Sequence, residues 1–347
     1  MNLECLLIAD DLTGACDAAV HFARRGYRTH VRLDSHGEET SVLAISAESR
    51  HLSAAELRPV MDELARRLPM AQARILFNKI DSTLRGNVGA EIAAALTAFS
   101  CEAAVISPAF PAMGRTVEEG YLRVGDAEAI DVAARLALES SVHVQPSAVY
   151  AAIRAGARFI SVDAACDRDL DTIAAAGLES GRRILWCGSA GLASALARTL
   201  PWGGPPGPGC PLGPAARPAS SVLFCIGSSH PVTVEQQRNL LALDRSEHVV
   251  LNLSLRPISL ERVRELVEDA AGTATALVLS GGDTASLVCR ALGVRRIQLE
   301  DEIVPGIPWG YLSGGAFDGW RVATKSGGFG APHALIQVAD FFTCPTP

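Results

Sequence analysis

Short apolar runs, each followed by a polar or glycine-rich loop and then by a helical pattern, recur along this sequence. Residues 3–8 and 74–78 are typical of buried parallel strands, and the segments after them carry apolar residues at helical spacing. This alternation predicts an α/β fold, because parallel strands need crossover connections that are usually helices. Ligands of such folds bind at the carboxyl ends of the strands.

A segment rich in proline and glycine divides the chain. Residues 201–218 contain seven prolines and five glycines, and no regular strand or helix continues through such a composition. We therefore predict a linker at 201–218 between two α/β domains, 1–200 and 219–347. Each is expected to have a mainly parallel sheet flanked by helices, with the active site in the interdomain cleft. A hydrophobic content of 48% in 347 residues is enough for two cores.

The pattern predicts eleven strands and seven helices. In the first domain the strands lie at 3–9, 29–33, 42–46, 74–79, 103–107, 159–163 and 182–187, and the helices at 15–25, 54–68 and 88–99. In the second domain the strands lie at 221–226, 248–252, 276–279 and 321–324, and the helices at 233–243, 259–271, 284–292 and 332–342. Ser53 followed by Glu56 is a capping-box signature for the helix at 54–68.

Composition excludes several classes of function. A net charge of -7 and an aromatic content of 5% argue against nucleic-acid binding, which needs basic surfaces and aromatic stacking. The nine cysteines form no CxxC pair and no metal-like spacing with histidine, which indicates buried thiols in a reducing compartment. No basic region precedes the first apolar run, and no uncharged stretch reaches the ~20 residues of a membrane helix. We expect a cytoplasmic protein that binds no membrane.

Charged residues follow the predicted strands of the first domain. The cations suited to a substrate carboxylate are Arg50, Lys79 and Arg85. The carboxylates suited to sugar hydroxyls are Asp10, Asp11 and Asp81. This combination favours an enzyme that acts on a small polyhydroxy acid.

Simpler interpretations of these residues remain open at this point. Asp11 is also a suitable N-cap for a helix that opens near Thr13. For Lys79 and Asp81 the simpler interpretation is a surface ion pair. The segment 114–121 is either a loop that closes over the crevice or an ordinary connection.

Three segments of the second domain share one form, an apolar strand followed by a glycine-rich turn and a helix. They lie at 225–231, 279–284 and 325–330. Glycines let the backbone approach a phosphate, and the helix N-terminus presents free N–H groups to it. Lys325 adds a mobile positive charge for phosphoryl oxygens. The segments match neither a Walker-type loop nor a dinucleotide fingerprint, and His230, next to Pro231 in a turn, is not expected to be a base.

Seven segments together resemble the four-carbon acid sugar kinases. They are ADDLTGA (9–15), SAESR (46–50), KIDSTLRGNVGAEI (79–92), SPAFPAMGRTVEEGYL (107–122), GSSHPVT (227–233), GGDTA (281–285) and KSGGFGAPHAL (325–335). The resemblance spans nearly the whole chain. It implies an ATP-dependent enzyme that phosphorylates a tetronate such as D-threonate, D-erythronate or 3-oxo-tetronate. It also implies that the N-terminal domain holds the acid sugar and the C-terminal domain holds ATP.

The resemblance assigns roles position by position. The implied substrate contacts are Asp10 or Asp11, Arg50, Lys79, Ile80, Asp81 and Ser82. The implied nucleotide contacts are Ser228 or Ser229, Gly281, Gly282, Asp283, Thr284, and Gly327 or Gly328. We expect Mg²⁺ to bridge ATP oxygens with few protein ligands, with Asp283 acting on it through water. Asp10 or Asp11 would orient the terminal 4-hydroxyl and accept its proton.

One departure from the family concerns length. Family members are usually longer, and the missing stretch is expected between residues 270 and 276, before the GGDTA loop. A strand and helices would then be reduced or absent, which affects the adenine pocket and any homodimer interface. Two other functions are therefore carried as alternatives. They are a sensor that binds nucleotide or sugar acid without transferring phosphate, and a kinase of another small hydroxy acid.

Overall fold

The computed structural model describes residues 3–34, 40–204, 219–243, 248–253 and 258–344. The chain forms two compact units. Unit 1 comprises Met1–Asp10, Arg25–Tyr27 and Glu38–Gly204, and unit 2 comprises Asp11–Arg24, Arg28–Gly37 and Pro205–Pro347. Two N-terminal segments therefore belong with the C-terminal residues, which a single linear boundary does not predict. Residues 205–218 of the predicted linker lie outside the described residues.

Unit 1 alternates strands and helices, and its elements are numbered with those of unit 2 along the whole chain. Of its six helices among the described residues, the sequence pattern predicts two, at 54–68 and 88–99, and misses the four between residues 132 and 199. Its strands are β1 (Cys5–Ala9), β3 (Val42–Ser46), β4 (Ile75–Lys79), β5 (Ala103–Ser107), β6 (Arg115–Glu118), β7 (Tyr121–Val124), β8 (Ile130–Asp131), β9 (Ser141–Val144), β10 (Phe159–Val162) and β11 (Ile184–Gly188). Its helices are α2 (Ala54–Arg67), α3 (Val88–Ala98), α4 (Val132–Leu136), α5 (Val149–Arg154), α6 (Asp167–Glu179) and α7 (Ala190–Thr199).

The main sheet of unit 1 is parallel throughout, in the order β3-β1-β4-β11-β5-β10-β9. Every residue of β1, β4, β5 and β11 is buried, as expected for strands covered by helices on both faces. The Glu56 carboxylate accepts hydrogen bonds from Ser53 N and Oγ at the start of α2, so the capping box is confirmed. A small antiparallel sheet, β6-β7-β8, follows β5.

Unit 2 contains the remaining elements. Its strands are β2 (Thr29–Arg32), β12 (Val222–Ile226), β13 (Val249–Asn252), β14 (Ala276–Ser280), β15 (Arg296–Val304), β16 (Ile307–Ser313) and β17 (Arg321–Lys325). Its helices are α1 (Leu12–Ala23), α8 (Pro231–Leu241), α9 (Leu260–Ala271), α10 (Gly282–Ala291) and α11 (Ala334–Thr343).

The sheet of unit 2 has a parallel half and an antiparallel half. Strands β13-β12-β14-β17 are parallel, whereas β17-β16-β15-β2 are antiparallel. The sequence pattern did not predict the β15–β16 hairpin, whose strands meet at the turn Pro305–Gly306 with a positive φ at Gly306. The core packs Phe224, Val278 and Phe342 from β12, β14 and α11.

The fold prediction of mainly parallel sheets flanked by helices is confirmed. Helix α1 begins at Leu12 rather than at residue 15, because Asp11 caps it. The chain passes from α9 to β14 in four residues, 272–275, at the place where the sequence predicts missing residues. None of the helices in the described part of the chain is both long and apolar enough to span a membrane.

Candidate active site

The polar residues of unit 1 come together because the strands end in register. Lys79 pairs with Ala9 on one side and with Gly188 on the other, and Gly188 pairs with Ser107. The loops that follow β1, β3, β4, β5 and β11 therefore leave the same edge of the sheet. This edge is where parallel sheets bind ligands.

Asp10 follows β1 and is paired with an arginine from the loop after β3. Arg50 Nε and Nη2 both donate to Asp10 Oδ2 at 2.7 Å. Arg50 Nη2 also lies 3.5 Å from Asp81 Oδ2, so this guanidinium joins two aspartates. Both carboxylates are buried, each with a side chain 4% exposed. The sequence prediction that these three residues share one site agrees with this geometry.

Asp81 organises the loop after β4. Its Oδ1 accepts hydrogen bonds from Thr83 N at 2.9 Å and Thr83 Oγ1 at 2.6 Å. Arg85 Nη2 donates to Oδ2 at 2.6 Å. Burial acts to raise the pKa of Asp81, but hydrogen bonding and charge from Arg85, with the charge of Arg50, outweigh it and hold the pKa well below its usual range.

The loop that Asp81 organises also places Ile80 and Ser82. Both residues are buried, and Ile80 N donates to Gly188 O at 3.0 Å. They follow Lys79 at the carboxyl edge, as the sequence predicts for substrate contacts. We call Asp10, Arg50, Lys79, Asp81 and Arg85 the charged cluster.

Replacing Arg85 with alanine should lower stability by about 1 kcal/mol at pH 7, since the pair is partly exposed. A carboxyl with a depressed pKa contributes stability above its unfolded pKa of about 4, and this is lost as pH falls toward the folded pKa. The difference between wild type and Arg85→Ala should therefore shrink below pH 4. Urea unfolding from pH 3 to pH 7 measures it. Arg58→Ala, which breaks an exposed pair with Asp62, is the control; a pH-independent Arg85→Ala difference would contradict the assignment.

The only two lysines of the chain are Lys79 and Lys325, and each is the last residue of a parallel strand. Lys79 is buried, and its Nζ donates to Ile80 O at 3.0 Å. An ammonium has three donors, so Lys79 retains hydrogen-bonding capacity for a ligand. Nearby in the strands, Ser107 Oγ is buried without a partner among the described residues. Such atoms are rare in native structures, and a binding role is one explanation for them.

Asp11 belongs to unit 2, unlike its neighbour Asp10. Its Oδ1 accepts hydrogen bonds from Gly14 N at 2.5 Å and from Thr13 Oγ1 at 3.2 Å, so it is the N-cap of α1. The Asp11 carboxylate also lies against Gly282 so closely that a Cβ there would collide with it. Ser326 Oγ donates to Thr13 Oγ1 at 3.0 Å. The helix-cap interpretation is confirmed, and it places Asp11 beside the glycine-rich turns.

The three glycine-rich loops meet because β12, β14 and β17 are neighbouring parallel strands. Ile226 pairs with Ser280, and Ser280 pairs with Lys325. A Cβ at Gly227 would collide with Thr284 Oγ1, and a Cβ at Gly327 would collide with Ser228 Oγ. The loops therefore touch through their glycines. We call residues 227–230, 281–284 and 326–330 the loop cluster.

The remaining predicted phosphate contacts lie in the loop cluster. Gly281 has a φ of +106° and directly precedes α10, so the N-terminus of this helix, whose first N–H groups have no partner within the helix, lies in the turn. Asp283 is exposed and Thr284 is buried. Ser229 and Gly328 lie in the first and third loops, and His230 Nδ1 accepts from Val232 N at 3.3 Å as the cap of α8. His230 therefore has a structural role, in agreement with the sequence analysis.

Lys325 is fully buried, which corrects its prediction as a mobile charge. Its Nζ donates to Thr233 Oγ1 at 2.9 Å and to the carbonyl oxygens of Ser326, Gly327 and Phe329 at 3.0–3.2 Å. Burial lowers the pKa of Lys325 to about 7, whereas four oxygen acceptors act in the opposite direction by stabilising the ammonium. Lys325 shapes the third loop from inside instead of reaching out to phosphate.

Replacing Gly327 with alanine should weaken nucleotide binding by about tenfold or more, because the new Cβ would displace Ser228 Oγ and separate two loops; tenfold corresponds to 1.4 kcal/mol. Calorimetric titration with ADP measures the affinity. Gly272→Ala, at the end of α9 with open space around it, is the control for general strain. Equal nucleotide affinity in Gly327→Ala and wild type would show that the loop contact does not shape the site.

Two groups that the sequence analysis did not assign lie in these sites. Glu91 of α3 is buried and accepts a hydrogen bond from Ser49 Oγ at 2.9 Å. Thr233 of α8 is buried, accepts from Lys325 and donates to Gly327 O at 2.6 Å. Glu91 could have been recognised in the sequence as an acidic residue on the apolar side of a predicted helix. Thr233 could not, because its role depends on contact with Lys325 at the end of β17.

The segment after β5 forms a fixed hairpin instead of a free lid. Val117 and Ala164 exchange two backbone hydrogen bonds at 2.9 Å. Asp163 accepts from Glu119 N and Gly120 N, each at 3.0 Å. These contacts agree with the interpretation of 114–121 as an ordinary connection.

Two domain families match the chain. The sugar-binding N-terminal domain matches residues 5–147 and 127–196, which include the charged cluster. The nucleotide-binding C-terminal domain matches residues 228–335, which include all of the loop cluster except Gly227. Together they cover most of the chain.

The chain is 34% identical over 402 residues to a D-threonate kinase of Bordetella bronchiseptica, with 96% of each protein covered. A D-erythronate kinase of Heliobacterium modesticaldum is 28% identical over 433 residues, with 97% of this chain and 96% of that protein covered. Both alignments are longer than this 347-residue chain, so the relatives carry residues inside the match that this chain lacks. This supports the prediction of a shortened chain.

Solved structures agree with these relatives. A Bordetella bronchiseptica protein crystallised with citrate as a domain-swapped dimer has a TM-score of 0.52 and is 32% identical, with 99% of each chain covered. A Salmonella typhimurium protein has a TM-score of 0.72 at 21% identity, with 98% of this chain and 100% of that chain covered, and supports the fold alone. With the sequence relatives and the two domain families, these matches show that the chain is a phosphotransferase and belongs to the four-carbon acid sugar kinases.

Proposed function

We propose that this kinase transfers the γ-phosphoryl group of ATP to the terminal 4-hydroxyl of a four-carbon acid sugar. The relatives named as D-threonate, D-erythronate and 3-oxo-tetronate kinases support this substrate class. The single observation that carries the proposal is the charged cluster, in which Lys79 adds a positive charge to two aspartate–arginine pairs. Such a site favours a molecule with one carboxylate and several hydroxyls.

The charged cluster divides the recognition of the acid sugar between two kinds of group. Lys79, with donors to spare, and the partly exposed Arg85 are the cations that bind the substrate carboxylate. Asp10 and Asp81 accept hydrogen bonds from hydroxyls. Arg50 contacts both aspartates and fixes their positions. Ser82 is the adjacent hydroxyl on the same loop.

The loop cluster is proposed to hold the phosphates of ATP. Backbone N–H groups at the start of α10, with the hydroxyls of Ser228 and Ser229, suit phosphate oxygens. Among the described residues no group of three metal-ligating side chains occurs. Mg²⁺ would therefore be held mainly by phosphate oxygens and water, with Asp11 or Asp283 as an oxygen donor. When bound, it neutralises charge on the phosphates.

In the proposed reaction, the terminal hydroxyl oxygen forms a bond to the γ-phosphorus while the bond from that phosphorus to the bridging β–γ oxygen breaks. ADP leaves with the electron pair, and the hydroxyl proton passes to Asp10 or to solvent. Asp11 is occupied as a helix cap, so Asp10 is the better candidate for orienting the hydroxyl. Positioning and charge stabilisation contribute most to such transfers, and a positioned proton acceptor adds to them.

Assembly and location complete the proposal. A homodimer is proposed because a relative of 32% identity crystallised as a domain-swapped dimer; light scattering measures it. A cytoplasmic location is proposed because buried free thiols suit a reducing compartment. Six cysteines are of this kind: Cys5, Cys16, Cys101, Cys187, Cys225 and Cys289.

Isotope labelling of lysine tests the two binding sites separately. Since the chain has two lysines, protein grown with ¹³C-lysine gives two Cε signals in NMR, assigned with Lys79→Arg and Lys325→Arg. D-threonate or a related acid should shift the Lys79 signal and leave Lys325 in place. ADP should do the reverse. An acid that shifts neither signal, or ADP that shifts only Lys79, would contradict the proposed division of the site.

A further inference from the structure

Glu91 is a buried acid in the first turn of α3 that the reaction described above does not use. Glu91 is only 4% exposed. Its Oε2 accepts a hydrogen bond from Ser49 Oγ at 2.9 Å. The Asn78 side chain also hydrogen-bonds to the Glu91 carboxylate. A carboxyl kept in such a place costs stability when it is charged, so a function is expected for it.

Ser49 connects Glu91 to the charged cluster. Ser49 N donates to Asp10 O at 3.1 Å, while its hydroxyl donates to Glu91. The residue before it, Glu48, has a φ of +50°, a left-handed conformation that non-glycine residues keep only where their surroundings impose it. Arg50, the residue after it, holds Asp10 and Asp81. The hydroxyl bond to Glu91 is thus a side-chain anchor of the turn that carries Arg50.

The charge of Glu91 bears on the same cluster. Burial is the main cause that raises the pKa of Glu91 to about 7, and the charge of Asp10 raises it further, whereas hydrogen bonds from Ser49 and Asn78 and the charge of Arg50 lower it. Another titratable group in electrostatic contact with Glu91 is the buried Cys187 thiol, whose pKa is raised well above its usual range, mainly by burial. With Glu91 neutral, two aspartates, two arginines and Lys79 leave one net positive charge in the charged cluster. Ionised Glu91 cancels it.

We propose that Glu91 is a positioning residue for acid-sugar binding: through Ser49 it fixes the turn that carries Arg50, and its neutral form keeps the charged cluster attractive to a carboxylate. This rests on the proposed function, because it concerns affinity for an anionic substrate. Glu91 touches neither reacting group. It acts on the substrate through Ser49, Arg50 and Asp10.

Glutamine tests the charge and alanine tests the contact. Glu91→Gln keeps a group that can bond to Ser49 Oγ and stays neutral at every pH. We expect the KM for the acid, at saturating ATP, to rise at least fivefold in wild type from pH 6 to pH 9 and less than twofold in Glu91→Gln. Glu91→Ala and Ser49→Ala should raise it about tenfold at pH 6 and leave the KM for ATP unchanged. The same pH profile in Glu91→Gln and wild type, or an unchanged acid KM in both alanine variants, would overturn the proposal.

Unfolding supplies a readout that does not depend on activity. A carboxyl whose folded pKa lies above its unfolded value contributes stability below the unfolded pKa, and this is lost as pH rises through about 7. The Tm of Glu91→Gln relative to wild type should therefore rise from pH 5 to pH 8. If the Tm difference between Glu91→Gln and wild type stayed constant from pH 5 to pH 8, the charge of Glu91 would not have the role proposed for it. If wild type phosphorylates none of the acids, the proposed function fails; if wild type is active and the Glu91 variants match it, this inference alone fails.

Discussion

Replacing Asp10 with asparagine is expected to lower kcat/KM for the acid substrate by ~10²–10⁴-fold, the range typical of positioned acid–base groups. The Asp10 carboxylate is buried and receives both Arg50 Nε and Nη2 on one oxygen. Asparagine removes the charge that holds Arg50 and the acceptor that orients the substrate hydroxyl. Steady-state kinetics with acid varied at saturating ATP measure the loss.

The matched control for Asp10→Asn is Asp11→Asn, one residue along the chain. Asparagine keeps an oxygen that can accept from Gly14 N, so α1 stays capped. We expect Asp11→Asn to alter the KM for ATP, since Asp11 lies against Gly282, and to leave acid binding by calorimetry within twofold of wild type. An Asp10→Asn enzyme within twofold of wild-type kcat/KM would contradict the role given to Asp10.

Replacing Lys325 with methionine should lower the free energy of unfolding by about 2–5 kcal/mol, because each buried oxygen that loses its donor costs about 1–3 kcal/mol. Methionine fills similar space, but Thr233 and the carbonyls of Ser326 and Gly327 lose their shared donor. Buried acceptors without a donor are costly, so the third loop should change shape. Nucleotide affinity should fall at least tenfold. Urea unfolding and calorimetry with ADP measure the two effects.

Met61→Ala is the control that shows whether a loss of stability alone lowers the affinity for ADP. Met61 is fully buried in α2 of unit 1, and its truncation should cost a similar 2–5 kcal/mol with ADP affinity unchanged. The interpretation of Lys325 as an organiser of the loop cluster would be wrong if Lys325→Met were stable and bound ADP normally. It would also be wrong if both variants lost ADP affinity equally.

The parallel core of both units was predictable because apolar runs identify buried strands whatever their partners are. The runs at 42–46 and 103–107 match β3 and β5 residue for residue. The β15–β16 hairpin was missed, and its pairing with β2 joins residues 296–299 to residues 29–32. No local pattern encodes contacts that far apart in sequence. The same holds for the assignment of Asp11–Arg24 to unit 2.

The residue types of the site were predictable, but their partners were not. Asp10, Arg50 and Asp81 were recognised from their positions after strands, and the structure joins them. The roles of the adjacent Asp10 and Asp11 could not be distinguished in the sequence. Only the folded structure shows that Asp10 pairs with Arg50 and that Asp11 caps α1. Lys325 was misjudged for the same reason, since its four acceptors come from α8 and its own loop.

The most direct test of the central claim is coupled ADP release with Mg-ATP and a panel of acids. The panel contains D- and L-threonate, D- and L-erythronate and 3-oxo-tetronate. We predict turnover on at least one of them, with NMR placing the phosphate on the 4-hydroxyl oxygen, and a loss of at least ~10²-fold in Asp10→Asn. Protein that binds ATP and releases no ADP with any acid of the panel would contradict this prediction.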